Sequence, residues 1–196
     1  MLSQPPPRYT RQRGVSLIEV LVTLLILAFG LLGVAGLQAK MSLAEMESYQ
    51  RSQALLALAE MTERMSANPA LAASYVVAGN IGTGDAQPPD CTTIAPGPTR
   101  DLCEWSNSLK GASETKSGTP VGGSYGAVGC ITQIQAINPA LGVCTAGIYQ
   151  VSVAWQGLNP TKAPALTMAC GAGSFGAEAN RRVIAARVTV GTTSCF

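Results

Sequence analysis

The sequence predicts an α+β fold: a long N-terminal helix, membrane-spanning in its first half, whose second half packs on a small antiparallel β-sheet head carrying disulfides. Three observations carry this reading. Residues 20–37 are an uncharged apolar run that passes into an amphipathic stretch ending at Asn68-Pro69; β-type alternation is confined to the C-terminal half; and all six cysteines follow residue 90. A chain of 196 residues has room for one ordinary domain plus one extended element.

The run from Val20 to Leu37, VLVTLLILAFGLLGVAGL, spans about 27 Å as a helix, enough for a bilayer core. Arg8, Arg11 and Arg13 precede it with no acidic residue among them, so the positive-inside rule keeps residues 1–14 in the cytoplasm and exports the rest. Val34-Ala35-Gly36 fits a secretory cut site, but the run is longer than the ~7–15 residue core of a signal peptide and helical patterning continues past Gly36. No cysteine lies nearby to take a lipid anchor. Gly30, Gly33 and Gly36 recur every three residues, which is not the GxxxG spacing; they suit close packing against several neighbours or a place where the helix can loosen. Beyond Gln38, Leu43, Met46, Ala54, Leu58, Met61 and Met65 form an apolar stripe for the head, with Lys40, Glu45, Glu47, Arg51, Glu60, Glu63 and Arg64 as the wet face. The residue before Pro69 avoids helical geometry, so a helix over 15–68 ends there, and at about 80 Å its first half projects from a head formed by residues 69–196.

In the head, residues 79–99 are rich in Gly, Pro, Thr and Asp and predict a long loop. Asp101-Leu102-Cys103-Glu104 reads as a capped helix start, with Leu102, Trp105 and Leu109 on one face and Gly111 as its end. Tyr149, Val151, Val153 and Trp155 alternate with polar or small residues, making 149–156 the clearest strand; Ile184, Ala186, Val188 and Val190 mark a second, and Cys130–Ile137 a weaker third. Trp105 and Trp155 each lie on an apolar face and are expected in the core rather than as a sugar-binding platform. Cys91, Cys103, Cys130, Cys144, Cys170 and Cys195 contain no CxxC pair, which argues against zinc ribbons and thioredoxin-like chemistry and for disulfides in an oxidising compartment. Fifteen pairings are open; sequence neighbours, Cys91–Cys103, Cys130–Cys144 and Cys170–Cys195, are the expected ones.

Charged residues make up 12% of the chain and the net charge is +2, which excludes a nucleic-acid binder built on a basic surface. Histidine is absent, which removes His-dependent triads, HExxH zinc sites and imidazole bases. With no carboxylate pair beside a recognisable nucleophile, no catalytic, metal or cofactor site is expected and the chain is not read as an enzyme.

Glu19 stands out, because a carboxylate on an apolar helix costs on the order of 2.5–3.5 kcal/mol at mid-bilayer. Its setting, Arg13-Gly14-Val15-Ser16-Leu17-Ile18-Glu19-Val20, closely resembles the prepilin processing motif of type IV pilins and type II secretion pseudopilins, with Val15 where that family usually has Phe. The resemblance implies a leader over 1–14, cleavage after Gly14 and N-methylation of Val15 by a prepilin peptidase/methylase, and an ion pair between Glu19 and a neighbouring subunit's amine. The run Leu31-Leu32-Gly33-Val34-Ala35-Gly36-Leu37-Gln38, with the Asp101-Leu102…Trp105…Leu109 pattern, Gly122-Gly123 and Cys130, further resembles the PilV-type minor pilins, the type IV pilus modification proteins. That implies a minor subunit acting in pilus assembly, priming, adhesion or DNA uptake. Its partners would be other major and minor pilins and the inner-membrane assembly platform; its head is periplasmic before assembly and in the filament or its tip afterwards. A major pilin, a type II pseudopilin, or a membrane-tethered module gripping a surface, a sugar or DNA through loops 79–99 and 111–129, are the alternatives.

Overall fold

The computed structural model describes residues 14–112, 115–116, 119–120, 126–140 and 142–191. In chain order these form helix α1 (Leu17–Ala67), a 3₁₀ segment (Pro69–Tyr75), β1 (Ile81–Gly82), α2 (Pro98–Leu109), a small ribbon of β2 (Thr115–Lys116) and β3 (Thr119–Pro120), β4 (Val128–Gln135), β5 (Gly147–Gln156), a 3₁₀ turn (Glu178–Asn180) and β6 (Arg181–Val190). The main sheet has the order β1-β4-β5-β6 and every pairing in it is antiparallel. A long apolar N-terminal helix packed on a small antiparallel sheet with disulfides is the expected α+β, pilin-like arrangement.

The chain divides after Ala44 into two compact units. In the first, every described side chain is exposed, and α1 runs unbroken through Gly30, Gly33 and Gly36, at each of which an added Cβ would meet nothing within 4 Å. In the second, burial on α1 begins at Gln50 and continues through Ala54, Ala57, Leu58, Met61 and Met65. The expected stripe is therefore shorter than its periodicity: Leu43 and Met46 are exposed. Spacing reports which residues share a face, but only a partner surface decides which of them are covered.

Ala54, Ala57, Leu58, Met61 and Met65 of α1 meet Tyr149, Val151, Val153 and Trp155 of β5, Ile131 of β4 and Val188 and Val190 of β6 in one core. Period-two alternation places the four β5 side chains on this face, and each buried aliphatic contributes about 1.5–3 kcal/mol. Trp105 is the keystone of the α2 side, fully buried, with its indole N–H donating to the Ala57 carbonyl at 2.8 Å. Its ring lies against the backbone of β4 at Gly129, where a Cβ would fall 2.1 Å from Cη2. Both tryptophans are thus core residues.

The opposite face of the sheet is covered as well, which alternation alone did not indicate. Val128, Ala154, Cys170 and Phe175 form a second cluster, with the 168–176 segment laid over β4 and β5. The Cys130–Cys170 disulfide fastens it, Cα–Cα 5.7 Å, and Cys91–Cys103 is bonded as expected, Cα–Cα 5.9 Å. The expected Cys130–Cys144 and Cys170–Cys195 pairs are therefore overturned, since Cys130 and Cys170 bond to each other. Strand geometry explains why. Cys130 lies opposite Ser152, whereas Asn138 pairs with Thr145 near the hairpin tip; the eight residue steps from 130 to 138 put Cys144 roughly 25 Å away at ~3.3 Å per residue, far beyond disulfide reach. Cys195 lies outside the described residues, and no described cysteine is a free thiol. In the chain-entropy account closure of the two loops contributes about 3 kcal/mol (Cys91–Cys103) and about 4 kcal/mol (Cys130–Cys170).

Helix α2 starts three residues before the expected cap. Gly97 is the N-cap and Pro98 takes the first turn, where its missing N–H costs nothing. Asp101 and Glu104 are consequently free to face α1: Arg64 donates to Asp101 at 2.7 Å, Glu104 at 2.8 Å and Glu60 at 2.9 Å. Arg64 and Glu60 thereby leave the wet face assigned to them, as does Glu47, which binds Arg182 of β6 at 2.7 Å. Burial works against the Arg64 charge, but Glu104, Asp101 and Glu60 outweigh it and raise its pKa. Tyr75 completes the cluster by donating its hydroxyl to Asp101.

The expected 79–99 loop is organised by one carboxylate. Asp85 accepts N–H bonds from Gly82 at 2.7 Å and Gln87 at 3.1 Å, a hydroxyl bond from Ser106 and an ion pair from Lys110. Burial opposes its charge, yet Lys110, the two amides and Ser106 hold its pKa below the ordinary carboxylate value. With Gly82 so held, Ile81 and Gly82 can pair with Gly129 and Val128 as a short edge strand that the loop composition concealed.

Two outcomes are expected. Gly129→Ala drives a methyl into an immobile indole, and overpacking of this kind costs about 1–3 kcal/mol; urea unfolding of the full chain should show it, and an unchanged midpoint would contradict the packing. Tyr75 has its pKa pushed up to about 12 by burial and by the Asp101 carboxylate. A phenol with a raised folded pKa contributes stability that is complete below about 10 and lost as pH rises through about 12. Tyr75→Phe should therefore remove the latest phenolate step in ultraviolet titration and flatten stability across that window.

Candidate functional site

Gly14, Val15 and Glu19 fall together at the head of α1. The first turn is closed by the Ser16 carbonyl, which accepts the N–H of Glu19 at 3.0 Å and of Val20 at 3.3 Å. Glu19 lies in that first turn, where unpaired backbone N–H groups favour a negative side chain. The flanking Val15, Leu17, Ile18, Val20 and Leu21 are all exposed, Leu17 to 82%. Among the described residues Glu19 has no ion-pair partner. A single carboxylate thus sits on an uncovered apolar rod long and apolar enough to cross a bilayer. Such a carboxylate is suited to pairing with a cation supplied from outside the chain. Residues 1–13 of the leader expected over 1–14, and Gly122-Gly123, lie outside the described residues.

Two cavities are lined by described residues of the head, and among the described residues there is no cluster of metal-ligating side chains. One, of about 370 Å³, lies beside the Cys91–Cys103 bridge and is lined by Asp90, Glu104, Asn107 and Ser108. Its Asn107, Asp90 and Glu104 side chains are already engaged. Asn107 donates to the Pro88 and Pro89 carbonyls, Asp90 accepts from Thr92, and Glu104 accepts from Arg100 and Arg64, which hold its pKa low.

The second, of about 350 Å³, opens between β1, the start of β4, the end of β5 and the 171–176 loop. That loop was not singled out from the sequence, although its spacing Cys170-Gly171-Ala172-Gly173-Ser174-Phe175-Gly176 was a legible turn signal. Gly171, Gly173 and Gly176 all adopt positive φ, the region glycine enters without strain. Arg181 pins the loop's base: its guanidinium, almost fully buried, donates to the Met168 and Cys170 carbonyls and pairs with Glu178. The Gly173 N–H and Arg181 together hold the Glu178 pKa low.

Residues 9–35 match the family model described as the prokaryotic N-terminal methylation motif, a span that contains Gly14, Val15 and Glu19. No curated protein and no solved structure matches the chain. The matched motif, at the head of a 51-residue apolar-to-amphipathic helix, supports a type IV pilin-like protein, pilin or pseudopilin, which implies processing by prepilin peptidase and assembly with other pilins.

Proposed function

We propose that this chain is a minor subunit of a type IV pilus, made as a precursor with a leader over residues 1–14. Prepilin peptidase cuts after Gly14, and the new amine at Val15 is methylated. The shortened rod stays in the inner membrane, the disulfide-bonded head over 69–196 faces the periplasm, and other pilins and the assembly platform draw the subunit into a filament. The role is structural rather than enzymatic.

The observation that carries this reading is Glu19: an ionisable group without a partner among the described residues, on an otherwise apolar exposed helix, five residues past the matched motif's glycine. A neighbour's terminal amine, entering the same apolar layer, neutralises both charges and sets the register between subunits. The chain's own amine is the competitor, since Val15 and Glu19 stand four residues apart; assembly therefore favours the pair in which both groups leave water. The type II pseudopilin shares this chemistry. The six cysteines favour a minor over a major pilin, because an elaborately bridged head suits a specialised component.

Intact mass and N-terminal sequencing of the membrane-extracted protein should show loss of residues 1–14 and gain of one methyl group. A chain beginning at Leu37, or still at Met1 where a maturation system is active, contradicts the proposal. Glu19→Ala should insert in the membrane normally but enter filaments at least about tenfold less, as counted by immunoblotting sheared pili; wild-type incorporation would remove Glu19 from this role. Deletion of the gene should reduce piliation; an isolated loss of protein secretion would select the pseudopilin instead.

A further inference from the structure

The geometry points to a binding site for a neutral saccharide in the head, in the cavity of about 350 Å³ lined by Thr83, Gly126, Val128, Gln156, Ser174 and Phe175. Its volume falls in the ~300–1,000 Å³ range of small-molecule sites.

Four features bear on what it can hold. First, its polar groups are uncommitted. The side chains of Thr83 and Gln156 have no hydrogen-bond partner among the described residues, and Ser174, which accepts from Asn80 at 3.3 Å, still has its hydroxyl proton to donate. The backbone beneath Thr83 is nonetheless fixed, its N–H donating to the Ala127 carbonyl at 3.0 Å. Second, the wall between these groups is apolar, formed by Val128 and the Phe175 ring. That ring is seated between two glycines: a Cβ at Gly126 would touch it at 3.4 Å and one at Gly171 would collide at 2.8 Å. Third, among the described residues no charged side chain lines the cavity. A phosphate, a carboxylate or a divalent cation would find no counter-charge there. Fourth, the frame is rigid, because Cys130–Cys170 and the buried Arg181 fasten the loop that carries Ser174 and Phe175.

Two hydroxyls and one carboxamide around an apolar wall offer donors and acceptors at several points and no net charge. A pyranose has the matching chemistry, with vicinal hydroxyls at its rim and C–H groups on its faces. An acidic or cationic ligand does not, and a purely apolar one would leave Thr83, Gln156 and Ser174 desolvated without partners.

The test uses the full mature chain in a zwitterionic detergent free of sugar. Saturation-transfer NMR is run with the methyl glycosides of glucose, galactose, mannose and N-acetylglucosamine at millimolar concentration, and with methyl glucuronide and glucosamine as charged counterparts. At least one neutral glycoside should bind in preference to both charged ones. Thr83→Val, which keeps the shape and removes the hydroxyl, and Gln156→Ala should each weaken it about tenfold, while Asn107→Ala at the other cavity should leave it unchanged. Gln156→Glu preserves the side chain's size and gives a second variant should Gln156→Ala disturb the strand end; it too should weaken binding. Absence of binding by every neutral glycoside, equal binding of the charged ones, or undiminished affinity in Thr83→Val and in the Gln156 variants would overturn the assignment. None of these outcomes depends on whether the chain enters a filament.

Discussion

The head depends on Trp105. Three elements far apart in sequence meet at one indole: α2 supplies it, α1 accepts its N–H at Ala57, and β4 yields room for its ring at Gly129. A buried indole N–H left unpaired would cost about 1–3 kcal/mol, so the ring's position is set by a hydrogen bond as well as by volume. Once it is fixed, the remaining contacts follow in order. Arg64 on α1 comes opposite Asp101 and Glu104 on α2, and Ser106 and Lys110 come under Asp85. The loop between α1 and the sheet is thereby tied to α2 at one end and to β4 at the other.

Around that joint the molecule uses one sheet twice. The face bearing Tyr149, Val151, Val153 and Trp155 takes the helix, while Val128 and Ala154 on the other face take a loop with little regular structure. A loop of glycines has few side chains with which to hold itself down, and covalent and ionic fastening, Cys130–Cys170 and Arg181, substitutes for burial. Rigid support beneath a polar rim is also what a small-ligand site requires.

Residues whose roles are set by periodicity were legible in the sequence. The long helix, strand β5 and the β6 face bearing Val188 and Val190 all follow from spacing, and the tryptophans from the apolar faces they share. What escaped is set by tertiary partners. Leu43 and Met46 obey the same repeat as Met61 and Met65, and only the extent of the head separates them. Asp101 looked like a helix cap because its neighbours suit one; Pro98 claimed the helix start and released it to Arg64 and Tyr75. Cysteine pairing depended on strand register, which carries Cys130 away from Cys144 while bringing a distant loop to it. At the N-terminus the motif around Gly14, Val15 and Glu19 is local, and local patterns are what a single sequence states best.

The bridge between Cys130 and Cys170 has a mechanical meaning. It encloses most of β4, the hairpin and all of β5 in a covalent ring. A pull applied to the backbone on either side of the ring crosses from Cys130 to Cys170 through sulfur, bypassing the central strands. About 130 Å of potential extension, at ~3.3 Å per residue, is thus withheld from any pull.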